Sequence, residues 1–548
     1  MKQRKGGVHL NLWLEMLRRR LPPAFVLEAE ERLENGTLIG LAGSHGDGGS
    51  GSRDEKLGPL CEEEPWEHRA DEQSAHDKDI FNEENIPQDE SAPGVQAEEA
   101  AERMLVDWLA AAYAKCEGGE ALQPWQWLLA ESADGALELA LRALVPGGGA
   151  VLVETPAAPE ALELMRRLGL RAVPVECDGD GMLPDDVRWK ARLAGGEPAL
   201  AYVTPHFSNP SGRVWSRQRK LELLALSAEL ALPIVEDDTA GALPFALLFK
   251  NPQVPEAPEV PETGAAAEKK LAAGPGGETP SAAVLGDEMP KAMVPEDEML
   301  KAAVSRDKMP KAVVPDVPES LFRLRETAGI PGAKVIGVGS FERTLLPQLP
   351  LAWLRGEAEA MEKLRREAGR GSGGGSGLPA AGPASQWSAV VRAAGGRAAG
   401  GRAGGDRAVG GRAAAERAVA ARARRLRAWL ASPAAARHAA AAAAAYTARR
   451  TLALELLQAP AWRGARAADP GGGLYLWVSL PAGISSEALL RASLLEGTAF
   501  LPGTLCCAAE PDDGCIRLTV AALEDARLRE GLARIAAALA GFTARSGG

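Results

Sequence analysis

The sequence predicts an α/β fold, a mostly parallel central sheet covered by helices, with a smaller α+β domain at the C-terminal end. Three observations predict it. Short apolar runs alternate with amphipathic helical stretches between residues 97 and 249. Their strand, helix, strand spacing is that of parallel βαβ units. After residue 425 the pattern changes to a long helix, short strands and a last helix.

Helical periodicity starts near Ala97 and runs to Ala114, with Met104, Leu105, Trp108, Leu109 and Tyr113 as its apolar positions. A helix follows over Ala136 to Leu144, then a strand over Ala150 to Glu154, a helix over Pro159 to Leu168 and a strand over Arg171 to Glu176. Two further strands, Ala199 to Thr204 and Pro233 to Asp237, flank a helix over Arg217 to Leu230, with Ser216 as its N-cap. Beyond Arg425 come helices over Leu426 to Leu430 and Ala434 to Leu457. The closing α+β segment holds Gly473 to Val478, Phe500 to Gly503, Ile516 to Leu518 and a helix over Leu523 to Leu539.

Composition bounds what the rest can be. With 548 residues and 46% hydrophobic content the chain can bury a large core. The formal charge of −12 argues against nucleic acid as a main partner, since phosphates are neutralised by clustered Lys and Arg. Most of the acidity is local: Arg53 to Arg103 holds seventeen Asp/Glu and five Lys/Arg, with few large apolar residues. The six cysteines show neither metal-ligand spacing nor disulfide density, which fits a reducing cytoplasm and no metal site. No apolar run is long enough to span a bilayer, and the basic start lacks a signal-peptide core.

The expected organisation is a mostly disordered acidic region over 1–96, a large domain over 97–249 and 319–365, and a small domain over 425–548. Two insertions interrupt it. Residues 250–318 carry a decapeptide repeat (DEMPKAMVPE from Asp287, DEMLKAAVSR from Asp297, DKMPKAVVPD from Asp307). Residues 366–424 are rich in Gly, Ala and Arg, with Arg at every fifth position from Arg392 to Arg422, a spacing that matches neither helix nor strand. Such a repeat reads either as a tether for an anionic surface or as solvated, unstructured repeat expansion. The absence of interleaved aromatics favours the second.

Five segments occur in an order that resembles a known family: YVTPHFSNPSG (Tyr202 to Gly212), PIVEDD (Pro233 to Asp238), VIGVGSFERTLLP (Val335 to Pro347), GGLYLWVSLP (Gly472 to Pro481) and CIRL (Cys515 to Leu518). They resemble the pyridoxal-phosphate (PLP)-dependent aminotransferases of class I/II, fold type I, especially the aminoadipate-aminotransferase and MocR-type branch. The resemblance implies PLP as cofactor, an amino acid or 2-oxo acid as small-molecule partner, and a homodimer. It also implies site residues. Asp237 matches the carboxylate that keeps the pyridine nitrogen protonated, and Asn209 the donor to the cofactor's phenolic oxygen. Arg517 matches the clamp on the substrate carboxylate. Ser340 matches a phosphate-contacting hydroxyl, and Ser132 and Ala133 the helix N-terminus around the phosphate, although Asp134 brings a negative charge there.

The departures bear on catalysis. Where the family has its Schiff-base lysine, this chain has Arg343. A guanidinium stays protonated and cannot condense with an aldehyde. Lys334 precedes the strand and belongs at the sheet's opposite end. Seven residues beyond Arg343, Pro350 replaces a phosphate arginine, and Gln348 replaces a glycine. Ala158 stands where an aromatic stacks on the ring, and Ala240 where a tyrosine is usual. The expectation is an aminotransferase-like protein impaired in catalysis. The alternatives are an active transaminase that uses another base, and a MocR-type transcription regulator. The latter needs a basic helix-turn-helix, of which only Leu10 to Leu21 offers a remnant.

Overall fold

The computed structural model describes residues 8–34, 37–42, 95–145, 148–193, 199–241, 243–249, 319–370 and 406–546. The acidic stretch 43–94, the repeat segment 250–318 and residues 371–405 lie outside the described residues. In chain order the elements are α1 (Val8–Arg18), α2 (Pro23–Glu34), β1 (Ile39–Leu41), α3 (Val95–Glu117), β2 (Trp127–Ala130), α4 (Ala133–Leu144), β3 (Ala150–Glu154), α5 (Pro159–Arg167) and β4 (Arg171–Val175). A short hairpin, β5 (Cys177–Asp178) and β6 (Gly181–Met182), leads to α6 (Pro184–Leu193), β7 (Ala199–Val203), α7 (Arg217–Leu230), β8 (Ile234–Asp237) and α8 (Leu243–Phe249). Then come α9 (Leu321–Thr327), β9 (Val335–Ser340), β10 (Ala352–Arg355), α10 (Ala358–Arg370), α11 (Asp406–Leu430) and α12 (Pro433–Leu456). The chain closes with β11 (Arg466–Ala467), β12 (Tyr475–Ser479), α13 (Ser486–Leu495), β13 (Thr498–Pro502), β14 (Cys515–Thr519) and α14 (Asp525–Ser546).

Seven strands form the large sheet in the order β2-β10-β9-β8-β7-β3-β4, parallel throughout except for β10. Alternate residues face opposite sides, as the period of a strand requires. Val151, Val153, Tyr202 and Val235 pack with Leu137 of α4, Leu164 of α5 and Leu364 of α10. Leu152, Ala201, Val203 and Ile234 pack with Val187 of α6, Leu223 of α7 and Phe322 of α9. Both faces are therefore dry, which is why these strands read as continuous apolar runs. Ser216 caps α7 by accepting from the Arg219 amide, where the sequence places it. From β3 the chain steps outward to β4, then returns to the other side of β3 as β7. The carboxyl ends of β3 and β7 thus flank a topological switch point, where open α/β sheets hold their sites.

Two expectations need correction. Residues 8–34 and 37–42 are not part of a disordered region: Trp13, Leu17, Val26, Ile39 and Leu41 are buried in one core with Leu490, Phe500, Leu528 and Ile535 of the C-terminal domain. Strand β1 pairs parallel with β13, with Ile39 opposite Thr498, and completes the sheet β1-β13-β14-β12-β11. The second correction concerns the arginine-rich stretch, whose last third is helical. In α11, Val419, Ala423, Leu426 and Leu430 follow helical spacing and pack on Leu105 and Leu109 of α3. There the apolar period, not the five-residue arginine period, sets the structure. Among the described residues no helix is long and apolar enough to cross a membrane.

Candidate active site

The carboxyl ends of β3, β7, β8 and β9 bring together the turn after Glu154, the loop Thr204 to Gly212, the segment Asp237 to Gly241 and the turn Ser340 to Arg343. The Thr204 loop is anchored by one carboxylate. Buried Glu154 accepts from the Thr204 amide (2.8 Å) and hydroxyl (2.7 Å) on one oxygen, and from Trp215 Nε1 (2.9 Å) and Ser208 Oγ (3.0 Å) on the other. Phe207 takes a positive φ of 56° in this loop, and its side chain lies where a Cβ on Gly472 or Gly473 would sit, its ring 2.4 Å from the first and its Cβ 2.7 Å from the second. The paired glycines of the GGLY segment are what admit that ring.

At the end of β8, Asp237 accepts from Tyr202 Oη (2.8 Å) on one oxygen and from the amide (2.9 Å) and hydroxyl (2.7 Å) of Thr239 on the other. Asp237 and Asn209 line the same small cavity as Arg343, together with Ala158, Tyr202 and His206. These sequence-expected residues are therefore brought together. The cavity holds only about 10 Å³, roughly the space one water needs.

Arg343 is buried and donates from Nη2 to Asp134 Oδ1 at 2.7 Å. Burial works against its charge, but Asp134, Asp237 and Glu160 outweigh burial and hold its pKa well above the ordinary arginine value. Beside it, Glu342 Oε2 accepts from the amide of Ala133 at 2.8 Å, in the first turn of α4, while Ser132 Oγ accepts from Gly135 as the N-cap. The helix N-terminus expected around a phosphate thus receives a carboxylate of the chain itself. Ser340 turns away from the cavity: its hydroxyl donates to the Leu351 carbonyl (2.7 Å) and accepts from the Glu342 amide (2.9 Å).

Arg517 is fully buried on β14. Its Nη1 donates to Asn209 Oδ1 at 2.7 Å and lies 3.4 Å from Glu160 Oε1, its Nη2 donates to the Ala42 carbonyl at 2.8 Å, and its guanidinium stacks 4.5 Å from the Tyr475 ring centroid. Asn209 Nδ2 in turn donates to Glu160 Oε2 at 3.1 Å. Burial raises the pKa of Glu160, but Arg517 and Arg343 prevail and hold it below its usual value. Sequence reasoning missed Glu160 and Glu342. An acid in the first turn of a helix reads as ordinary dipole complementation, and an acid beside Arg343 carries no spacing signal.

Behind the cavity wall a second buried chain runs from Asp238 Oδ1 to His206 Nδ1 (2.9 Å) and from His206 Nε2 to Lys220 Nζ (2.8 Å). Burial and Lys220 push His206 down to about 3, and burial lowers Lys220 to about 8. Lys220 also donates to the Glu319 carbonyl at 2.8 Å and does not line the cavity. Lys334 sits at the amino end of β9, pairing with Glu359 at 3.5 Å, so it is at the sheet edge remote from the site, as its position in the sequence predicts. No group of metal-ligating side chains occurs among the described residues.

No protein-family model matches the chain. It is 23% identical to the 2-aminoadipate transaminase of Thermus thermophilus over 471 residues, 84% of this chain and 89% of that protein. A shorter match, 34% over 113 residues, links it to the HTH-type transcriptional regulator YdfD of Bacillus subtilis, covering 20% of this chain and 23% of the regulator. Among solved structures, the kynurenine aminotransferase of Pyrococcus horikoshii superposes with a TM-score of 0.57 over 96% of both chains at 17% identity, in complex with PMP. The chain is thus similar over most of its length to an aminotransferase and shares the α/β fold of the solved aminotransferases.

Proposed function

We propose that this chain is an aminotransferase-like protein that does not transaminate. The observation that carries the proposal is Arg343, a buried guanidinium paired with Asp134, at the position where the family resemblance puts a Schiff-base lysine. A Schiff base needs an amine that can lose its proton, and a charged, delocalised guanidinium offers none.

The residues present do not fit PLP as arranged. Ligand pockets of cofactor size are on the order of 300–1,000 Å³, against the single-water cavity here. The cluster holds four carboxylates (Asp134, Asp237, Glu160, Glu342) and two guanidiniums (Arg343, Arg517), a formal excess of negative charge before any phosphate arrives. The amide of Ala133 already binds Glu342, Ala158 offers no ring to stack on, and Pro350 cannot contact a phosphate. In this reading the relatives' substrates, amino and 2-oxo acids, have no productive site, and the homodimer expected from the resemblance serves assembly rather than catalysis.

The test is spectroscopic. Wild-type protein incubated with PLP is expected to show no Schiff-base absorbance that borohydride bleaches, and Arg343→Lys, which restores an amine but leaves the small cavity and the four carboxylates in place, is expected to gain little. A bleachable band in the wild type refutes the proposal. One observation favours a second reading, an active enzyme using another amine: Lys220, with its pKa lowered to about 8, adjoins His206 in the cavity wall. Borohydride trapping followed by peptide mapping separates the two, since only the second places label on Lys220. A regulator reading finds less support, because α1 and α2 are buried in the small domain's core instead of forming a separate DNA-binding unit.

A further inference from the structure

Arg517 is the residue that the family resemblance makes a grip for a free carboxylate, and here groups of the chain itself meet its Nη atoms. Nη1 meets Asn209 and Glu160, and Nη2 meets the carbonyl of Ala42. Glu160 is itself buried and holds the Asn209 amide with its other oxygen. Its carboxylate therefore bridges the two groups, a guanidinium and a primary amide, that would recognise a small carboxylic acid. The position follows from local structure: Pro159 starts α5, Glu160 is the next residue, and Ala158, the N-cap, makes no side-chain cap bond. The Ala157 amide is bonded to the Cys506 carbonyl, which ties this turn to the C-terminal domain close to Arg517.

We infer that Glu160 is a built-in ligand of Arg517, occupying in cis the place of a small free carboxylate and so excluding acetate-like and 2-oxo acids from the pocket. This rests on the assignment of Arg517 made above but not on Arg343. The exclusion is physical: a free acid must displace a tethered carboxylate whose effective concentration is in the millimolar range or above, and must do so in a buried site where stranding the displaced charge is costly.

Glu160→Ala removes the tethered carboxylate and leaves a void beside a buried guanidinium. The variant is expected to melt below the wild type and to be rescued by acetate, its melting temperature rising by about 1–2 °C for each tenfold increase in acetate above the dissociation constant, at constant ionic strength. Chloride is the control, and Arg517→Met added to Glu160→Ala is expected to abolish the acetate effect. The wild type is expected not to shift with acetate or pyruvate at concentrations that raise the melting temperature of the variant. A Glu160→Ala protein indifferent to acetate overturns the inference, and so does a wild type that shifts as much as the variant. Should Glu160→Ala be recovered only unfolded, folding restored by acetate in the refolding buffer supports the inference. In that case a wild-type response to pyruvate still overturns it. The absorbance test above reports on Arg343 alone, so failure of either reading is seen separately.

Discussion

Glu154→Gln tests how the site's loop is held. The two oxygens of Glu154 each face one donor that cannot become an acceptor: Trp215 Nε1 at 2.9 Å on Oε1 and the Thr204 backbone N–H at 2.8 Å on Oε2. Whichever way a glutamine amide is turned, its NH₂ meets one of these fixed donors. The hydroxyls of Thr204 and Ser208 can rotate to accept, but the indole and the backbone amide cannot. The substitution preserves volume, so the cost is one buried unsatisfied donor plus the loss of charge assistance in the remaining bonds, in total about 2–4 kcal/mol. Equilibrium urea denaturation followed by tryptophan fluorescence measures it, with an unchanged slope and a lower midpoint expected. Because this carboxylate anchors the loop carrying Asn209, a loss below about 1 kcal/mol would refute the claim that Glu154 organises the site.

Other outcomes follow from the same structure. Glu117 and Arg355 form a buried pair, with Arg355 also 4.0 Å from the Tyr113 ring centroid. Glu117→Ala is expected to cost about 3–5 kcal/mol by stranding the guanidinium, and adding Arg355→Met to recover much of it. A double-mutant cycle by urea denaturation reads this coupling, and strict additivity would contradict it. His206 has a folded pKa of about 3, below an ordinary value near 6.5. Between those values the unfolded chain binds more protons, so stability is expected to fall as pH drops from about 6.5 towards 3. His206→Asn, which does not titrate, is expected to flatten the His206 part of that slope, and an identical slope in wild type and variant would contradict the assignment.

The sheet was legible because its signals are local. Ala150–Glu154, Arg217–Leu230 and the Ser216 cap stand where the sequence puts them, since apolar runs, helical period and a capping hydroxyl all lie within a few residues of one another. Asp237, Asn209 and Arg343 were legible for a different reason: they sit at strand ends within segments that resemble a family, and they do converge on one cavity. What stayed hidden depends on distant partners. Trp13 and Leu17 become core only against the C-terminal domain, so their stretch reads as a stray helix before acidic sequence. Val419 and Ala423 are small, and their helical period is masked by the stronger arginine repeat. Glu160 meets Arg517 across 357 residues of sequence, and nothing near either residue announces the pair. The partner of the Ser340 hydroxyl, the Leu351 carbonyl of the neighbouring segment, is likewise set by the tertiary structure.

The most direct measurement is the visible absorbance of purified wild-type protein after incubation with PLP, taken before and after borohydride, with peptide mapping of any label. An Arg343 site is expected to give no reducible band and no labelled lysine. A yellow protein that bleaches and carries reduced pyridoxyl on one lysine, Lys220 above all, would contradict the account.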